Sequence, residues 1–170
     1  MDDLKSLLSA LPEKLGFPDL ASLLSDQFQE SLSELKEIDS TLTEIGKSAN
    51  LTDSRLQELG DTSFEVAAKF GTSANDYLGG VQQMIDSGYK NAAQMAELSA
   101  LVQTADNLQS DLANDYIMAA DNAYDYAGNV EKLTKLLDGQ NQMARENALN
   151  MEELANATIA ASELLSDLPD

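Results

Sequence analysis

Hydrophobic residues recur along most of this chain at intervals of three and four, which is the spacing of one face of an α-helix. Near the start, this spacing predicts a short amphipathic helix built on Leu4, Leu7, Leu8, Leu11 and Leu15. Proline and glycine follow, and they predict a break at residues 16–18. No segment alternates between apolar and polar residues in the manner of a hairpin strand, so the pattern predicts an all-α fold.

From residue 24 to residue 45 the apolar positions are separated by alternate steps of four and three, which is the spacing of a coiled-coil seam. The seam positions are Leu24, Phe28, Ser31, Leu35, Ile38, Leu42 and Ile45, and Gly46 ends the pattern. So short a repeat also fits a long helix that lies on the rest of the domain, and both interpretations stay open. In either case we expect Leu35, Ile38 and Leu42 to pack against another helix.

Shorter helices are predicted after a polar linker, each with its own start or stop signal. The expected elements are a helix from Arg55 to Phe70, one opened by a capping box of Ser73 and Asp76, one over residues 91–105, one around residues 112–126, one after Gly128, and a last helix capped by Asn150 with Glu153. We therefore divide the chain into an N-terminal arm, residues 1–50, and a helical core, residues 51–170. The expected architecture is a bundle of short amphipathic helices preceded by a longer, coiled-coil-like helix.

The helix around residues 112–126 carries two apolar stripes. One consists of Leu112, Tyr116, Ala119, Ala123 and Tyr126, and the other consists of Ile117, Ala120 and Tyr124. A small monomer would struggle to cover both, so the second stripe predicts self-association. The acidic residues of the same segment, Asp111, Asp115, Asp121 and Asp125, are interpreted as a solvated face.

Charge and composition narrow the possible functions. The chain has 10 basic and 30 acidic residues, a net charge of −20, and neither histidine nor cysteine. Such a surface repels phosphate backbones and anionic headgroups, so we expect neither nucleic acid nor membrane as a partner. Without histidine, the commonest general base and metal ligand is missing. We expect no cofactor, no metal and no enzymatic activity, and we expect contacts of the base-free segment 91–131 to favour basic surfaces.

Three motifs with possible chemistry are set aside. The segment from Asp121 to Lys132 resembles a calcium loop at its first and fifth positions, but Tyr126 stands where glycine is needed and Lys132 where the bidentate glutamate should be. Gly79 and Gly80 lack the surroundings of a phosphate-binding loop, and we interpret them as a place where two helices touch. The methionines are interpreted as adaptable core filling, and a mobile partner interface stays open as the alternative.

Several segments, in order, resemble the conserved core of phage tail tape measure proteins from tailed phages and prophages of low-GC Gram-positive bacteria. The matching pieces are LTEIGKSANLTDSRLQELG, FGTSANDYL, the SGY turn with NAAQMAELSALVQTAD, and DLANDYIMAADNAYDYAGNVEKLTKLLDGQNQMARENALNMEELANA. The last piece is the most specific. A helix that runs through DGQNQMARENALNMEEL and is followed by a new helix cap is the most recognisable feature of the family. The resemblance extends from about Leu35 to Ser162.

The resemblance implies a structural protein of virion assembly that sets tail length, with tail tube subunits polymerising around a long helical polypeptide. It implies contacts with itself and with tail tube, tail tip or tail chaperone proteins, in the cytoplasm of a bacterial host and then in the virion tail. The length departs from the family, whose members usually run to many hundreds of residues. A piece of a longer protein, a short relative, and a protein that uses the core to bind tail components all fit this length.

Two other classes stay open as alternatives. A helical interaction module unrelated to tails, such as a secreted helical-hairpin effector or a signalling coil, shares the Ala- and Gln-rich composition. Helical-hairpin effectors usually carry a Trp-x-Gly turn, and this chain has no tryptophan. A signalling coil needs long unbroken heptads, which the glycines at 71, 88, 128 and 139 interrupt. The other class is an enzyme that uses carboxylates alone, and no cleft signature in the sequence supports it.

Overall fold

The computed structural model describes residues 18–166 of the chain, and it describes the side chains of residues 29–164. Residues 18–166 form seven helices and no strand, which confirms the predicted all-α class. The helices are α1 (Pro18–Ala49), α2 (Asp53–Phe70), α3 (Ala74–Asp86), α4 (Ala92–Asp106), α5 (Ser110–Tyr124), α6 (Val130–Asn147) and α7 (Met151–Ser166). The short leucine helix predicted at the start of the chain lies outside the described residues. The described residues divide into two compact units, residues 18–40 and residues 41–166.

Helix α1 is longer at both ends than the heptad pattern indicates. It begins at Pro18, because proline fits the first turn of a helix, where its missing N–H has no partner to lose. It also continues through Gly46 to Ala49, and Asn50 then turns the chain with a φ of 51°. Leu35 is 52% exposed whereas Ile38 is 5% exposed. The coiled-coil interpretation of these two residues stays a prediction.

Within residues 41–170, the end of α1 packs on α2 through a glycine on each helix. An added Cβ at Gly60 would lie 3.3 Å from Leu42 Cδ1, and one at Gly46 would lie 2.9 Å from Leu56 Cδ1. Leu42 therefore contacts a neighbouring helix directly. The leucine side chains occupy the space that the missing Cβ atoms of the two glycines leave open.

Side chains cap three of the helices. The Asp76 N–H donates to Ser73 Oγ at 2.9 Å, which confirms the predicted cap of α3. The Lys132 N–H donates to Asn129 Oδ1 at 3.0 Å at the start of α6. Asn150 caps α7 as predicted, but its Oδ1 accepts from the Glu152 N–H at 2.9 Å, one residue earlier than the expected position. These bonds satisfy N–H groups that have no partner inside the helix.

The core of residues 41–166 is organised around α3, α4 and α5. Helix α5 packs most extensively against α7, and α3 packs against α4 and α5. An added Cβ at Gly80 would lie 2.9 Å from Asn114 Oδ1 and 3.4 Å from Ala96 Cβ, so Gly80 is a close contact of α3 with both neighbours. Gly79 has open space around it. The interpretation as a place where helices touch is confirmed for Gly80 and wrong for Gly79.

The five methionines of the described residues differ in burial. Met84 and Met95 are fully buried, which confirms their interpretation as core filling, whereas Met143 is 45% exposed. Met118 and Met151 lie between these extremes.

None of the helices in residues 18–166 is both long and apolar enough to cross a membrane.

Candidate interaction surface

The inner face of α5 is sealed against its neighbours. Asn114 is buried there, and its Oδ1 accepts a hydrogen bond of 2.6 Å from the Ser99 hydroxyl on α4. Ile117 and Ala120 have no exposed surface. A buried amide without partners would cost free energy, so the bond to Ser99 is what makes Asn114 compatible with this position.

Asp121, at the end of this inner face, does not belong to a solvated acidic surface. It is 3% exposed, and both of its carboxylate oxygens accept hydrogen bonds. The Gly128 N–H donates to Oδ1 at 2.8 Å, and the Tyr89 hydroxyl donates to Oδ2 at 3.0 Å. The predicted solvated face is therefore wrong for Asp121, although Asp111, Asp115 and Asp125 are exposed as expected. A buried carboxylate is tolerated here because two donors converge on it.

The bonds of Asp121 hold the loop between α5 and α6, residues 125–129, in a conformation that L-residues rarely adopt. Asp125, Ala127 and Gly128 have φ values of 49°, 53° and 76°. The amide of Asn91 supports the same loop, since its Nδ2 donates to the Gly128 carbonyl at 2.8 Å. A left-handed backbone conformation is unfavourable for alanine. It persists only where surrounding hydrogen bonds determine the backbone conformation.

Two tyrosines stack at the start of this loop, Tyr124 at the end of α5 and Tyr126 within the loop. The rings of Tyr124 and Tyr126 stack with centroids 5.6 Å apart, and the Lys132 ammonium lies 5.3 Å from the centroid of Tyr126. Tyr124 is 50% exposed. The structure thus brings together two of the predicted face residues, although they were assigned to different stripes.

The hydroxyl groups of Tyr116, which is buried, and Tyr89, which is half-buried, donate hydrogen bonds within the chain. Tyr116 donates to Gln140 Oε1 at 2.7 Å, which joins α5 to α6. Burial, and then the charge of Asp106, raises the pKa of Tyr116. Burial also raises the pKa of Tyr89, and the hydrogen bond to Asp121 adds to the effect. Both phenols are therefore held neutral, as hydrogen-bond donors that stabilise the packing.

The two predicted apolar stripes of α5 are mostly covered within the chain. In the first, Tyr116 and Ala119 are buried and Leu112 is half-buried. In the second, Ile117 and Ala120 are fully buried. The expectation that a monomer could not cover the second stripe is wrong for those two residues, because α5 lies between α3, α4, α6 and α7 and is covered on several sides. Tyr124, the third residue of this stripe, is 50% exposed, and self-association stays a prediction.

An open groove lies between α5 and α7, and we call it the α5–α7 groove. Its volume is about 640 Å³, and it is lined by Asp115, Met118, Ala119, Asn122, Ile159, Ser162 and Glu163. The apolar members are Met118, Ala119 and Ile159, and the carboxylates Asp115 and Glu163 are exposed. The end of α3 borders the groove, because Gln83 Nε2 donates to Asp115 Oδ1 at 2.7 Å and Ser87 Oγ lies 3.3 Å from Met118 Sδ.

Helices α3, α4, α5 and α7 contain no lysine or arginine. They carry ten carboxylates: Asp76, Asp86, Glu97, Asp106, Asp111, Asp115, Asp121, Glu152, Glu153 and Glu163. The bases of residues 18–166 lie on α1, α2 and α6 and at Lys90. The α5–α7 groove is thus formed by helices of a single sign of charge, and such a surface attracts cationic groups.

A second groove differs in charge. It has a volume of about 760 Å³ and lies beside α2, the end of α3 and the start of α4, with Leu59, Val81 and Ile85 among its apolar residues. Arg55 and Lys90 line it together with Glu58. Arg55 Nη1 is already paired with Glu58 Oε2 at 2.8 Å. This mixed charge gives no clear preference for the sign of a partner.

Neither the role of Asp121 nor the α5–α7 groove was predicted from the sequence. Asp121 has the same residue type and helix as the exposed acids, and its partners Tyr89 and Gly128 are recognisable only after folding. Part of the groove could have been predicted from the sequence, because Asp115, Met118 and Asn122 have the spacing of one helical face. In the part of the chain that the structure describes, no group of three or more Asp or Glu side chains is placed to hold a metal ion.

Comparison of the chain with protein-family models, with curated proteins and with solved structures finds no match in any of the three.

Proposed function

We propose that this chain is a non-catalytic assembly element of the phage tail, of the tape measure type that its sequence resembles, and that it acts through protein–protein contacts. The observation that carries the proposal is the α5–α7 groove, where apolar side chains lie between exposed carboxylates on base-free helices. Grooves of this kind are used to bind amphipathic segments of other proteins.

The hydrogen bonds of the polar side chains in the interior support a structural role for this chain. Asp121, Tyr116 and Asn114 are buried and Tyr89 is half-buried, and the hydrogen bonds of these four side chains are made within the chain. Each of them joins two helices or a helix and a loop. A catalytic group needs an accessible proton or lone pair directed at a substrate, whereas these groups stabilise the packing.

The packing of residues 41–166 suggests which part of tail assembly such an element performs. A straight helix advances about 1.5 Å per residue, so length measurement requires an extended rod. Helices α2 to α7 instead pack against one another. We therefore propose that this region docks onto tail components and that measurement, where it occurs, depends on other helical length in the assembly.

The proposed partners are tail tube, tail tip or tail chaperone proteins, in the host cytoplasm during assembly and then in the virion tail. Self-association is retained as a separate expectation. Nucleic acid and membrane are not proposed partners, because a net charge of −20 repels both.

Co-expression tests this function. The full chain with an affinity tag is expressed with each tail tube, tail tip and tail chaperone protein encoded beside its gene, and the eluate is analysed by quantitative mass spectrometry. We expect one of these proteins to co-purify in a fixed ratio that survives gel filtration. An unrelated acidic helical protein with the same tag is the control, and sedimentation of the chain alone measures self-association.

The opposite result is also defined. A folded chain that retains no tail protein, and whose gene lies away from tail genes, would remove the tail proposal. The chain would then belong with helical interaction modules that serve another assembly.

A further inference from the structure

We propose that the α5–α7 groove binds an amphipathic segment of a partner protein in which lysine or arginine residues flank an apolar face. The inference deepens the proposed function, since it rests on a role in protein–protein contact. It does not depend on the partner being a tail protein.

The base of the groove has the properties of a site for apolar side chains. Met118 and Ile159 are half-buried, and Ala119 between them is 7% exposed and leaves room above it. The thioether of Met118 is flexible and polarisable, so it adapts to differently shaped partner residues. Burying such side chains on binding is favourable at roughly 25 cal/mol per Å² of apolar surface removed from water.

The margins of the groove select the charge of the partner. Asp115 on α5 and Glu163 on α7 are exposed and lie among its lining residues. Gln83 donates to Asp115 Oδ1 at 2.7 Å, which limits the motion of that carboxylate before a partner arrives. A lysine or arginine beside the apolar face of a bound segment would meet these carboxylates, whereas an aspartate or glutamate would be repelled.

The wider surface reinforces the selection. Asp111 is exposed on the same helix as Asp115, and α3, α4, α5 and α7 supply no lysine or arginine to offset these charges. At physiological ionic strength, charges act over roughly 8 Å, so neighbouring carboxylates on these helices add to the field at the groove. The second groove lacks this property, because Arg55 and Lys90 line it.

A second copy of this chain is a poor occupant by the same reasoning. Two copies bring together two net charges of −20, and that repulsion opposes their approach. The exposed bases of this chain, moreover, are already partly engaged: Lys135 pairs with Glu131 at 2.7 Å and Lys69 pairs with Glu97 at 2.7 Å. The groove therefore fits a foreign basic segment better than a copy of itself.

The test uses the full chain, labelled with ¹⁵N, and three synthetic peptides. The first is an amphipathic helix former with leucine on one face and lysine beside it. The second has the same composition in scrambled order, and the third has glutamate in place of every lysine. We expect binding of the first peptide to shift the amide resonances of residues 115–122 and 159–163. The scrambled peptide should bind about fivefold more weakly, and the glutamate peptide should bind at least about tenfold more weakly.

Matched variants locate the site. The double variant Asp115→Lys with Glu163→Lys should weaken binding of the lysine peptide about tenfold or more, and Asp61→Lys, an exposed acid on α2, should weaken it by less than about twofold. Met118→Ala should weaken binding about threefold, whereas Met143→Ala, at an exposed methionine of α6, should leave it unchanged. Asp115→Asn with Glu163→Gln replaces the charge reversal if circular dichroism shows that the reversed variant is unfolded.

Four results would overturn the inference. They are equal binding of the ordered and scrambled peptides, equal losses for groove and α2 variants, tighter binding of the glutamate peptide, and a dimer in sedimentation that only groove variants abolish. The last result would assign the groove to a second copy. Failure of tail proteins to co-purify, with peptide binding intact, would remove the tail function and leave the groove. Co-purification of a tail protein with groove variants at the wild-type ratio would support the tail function and assign that contact to another surface.

Discussion

Asp115 and Asp121 lie on the same helix, α5, and are the same residue type, but they have opposite surroundings. Asp115 is exposed at the α5–α7 groove and accepts one hydrogen bond from a flexible glutamine. Asp121 is buried and accepts from a backbone N–H and a phenol. One carboxylate is available to a partner protein, and the other is part of the interior.

The difference follows from rotation around the helix. Successive residues are separated by about 100°, so residues six apart lie on different sides of the helix. One side of α5 is covered by the packed helices and the α5–α6 loop, and the other borders the groove with α7. An acidic residue in a helix therefore has no fixed role until its neighbours are known.

The largest expected effect comes from removing the buried carboxylate. Asp121→Ala leaves the Gly128 N–H and the Tyr89 hydroxyl without their acceptor, and buried donors without partners are costly. We expect a loss of about 3 kcal/mol in the free energy of unfolding, measured by urea denaturation. Asp115→Ala is the matched control and should change stability by no more than about 0.5 kcal/mol. Similar small changes in both variants would mean that the two faces of α5 do not differ as described.

A pair of glycine variants tests the close contact on the sealed face. Gly80→Ala forces a Cβ to within 2.9 Å of Asn114 Oδ1, and the bond from Ser99 prevents that amide from moving away freely. We expect a net loss of about 1–2 kcal/mol in the free energy of unfolding, since overpacking outweighs the gain in helix propensity.

Gly79→Ala is the neighbouring control, because nothing lies within 4 Å of an added Cβ there. Alanine is favoured over glycine inside a helix, so this variant should be more stable by up to about 1 kcal/mol. The same sign of change at both positions would contradict the close approach of α3 to α5.

A pH dependence of stability is also expected, from the buried tyrosine of α3. Burial, and then the charge of Glu97, raises the pKa of Tyr77 from 10.0 to about 12. The unfolded chain loses this proton near pH 10 and the folded chain keeps it, so the stability that it contributes is complete below pH 10 and is lost as the pH rises towards about 12.

Denaturation midpoints measured across that pH range should therefore fall, and Tyr77→Phe should reduce the slope. Near-ultraviolet absorbance of the folded protein should show the ionisation of Tyr77 delayed in the same way. A wild-type slope that the Phe variant leaves unchanged would mean that Tyr77 is not responsible.

Helix positions were largely predictable from the sequence because their signals are local. The stops at Gly71 and Gly128, the cap at Ser73 and the apolar spacing all act within a few residues of the chain. The predicted start of α3 agrees with the structure for this reason. The extension of α1 beyond Gly46 was missed because one glycine inside a helix costs only about 1 kcal/mol, which packing overcomes.

The sequence by itself determined that this chain forms acidic helices without histidine or cysteine, and it determined where most of those helices begin and end. Only the tertiary structure decided which side of α5 is sealed, that Asp121 supports the α5–α6 loop, and that α5 and α7 leave a groove with Met118 and Ile159 at its base. The physical reason is the range of the interactions. Capping and periodicity depend on neighbours along the chain, whereas burial and charge surroundings depend on residues that folding brings together, such as Tyr89 with Asp121.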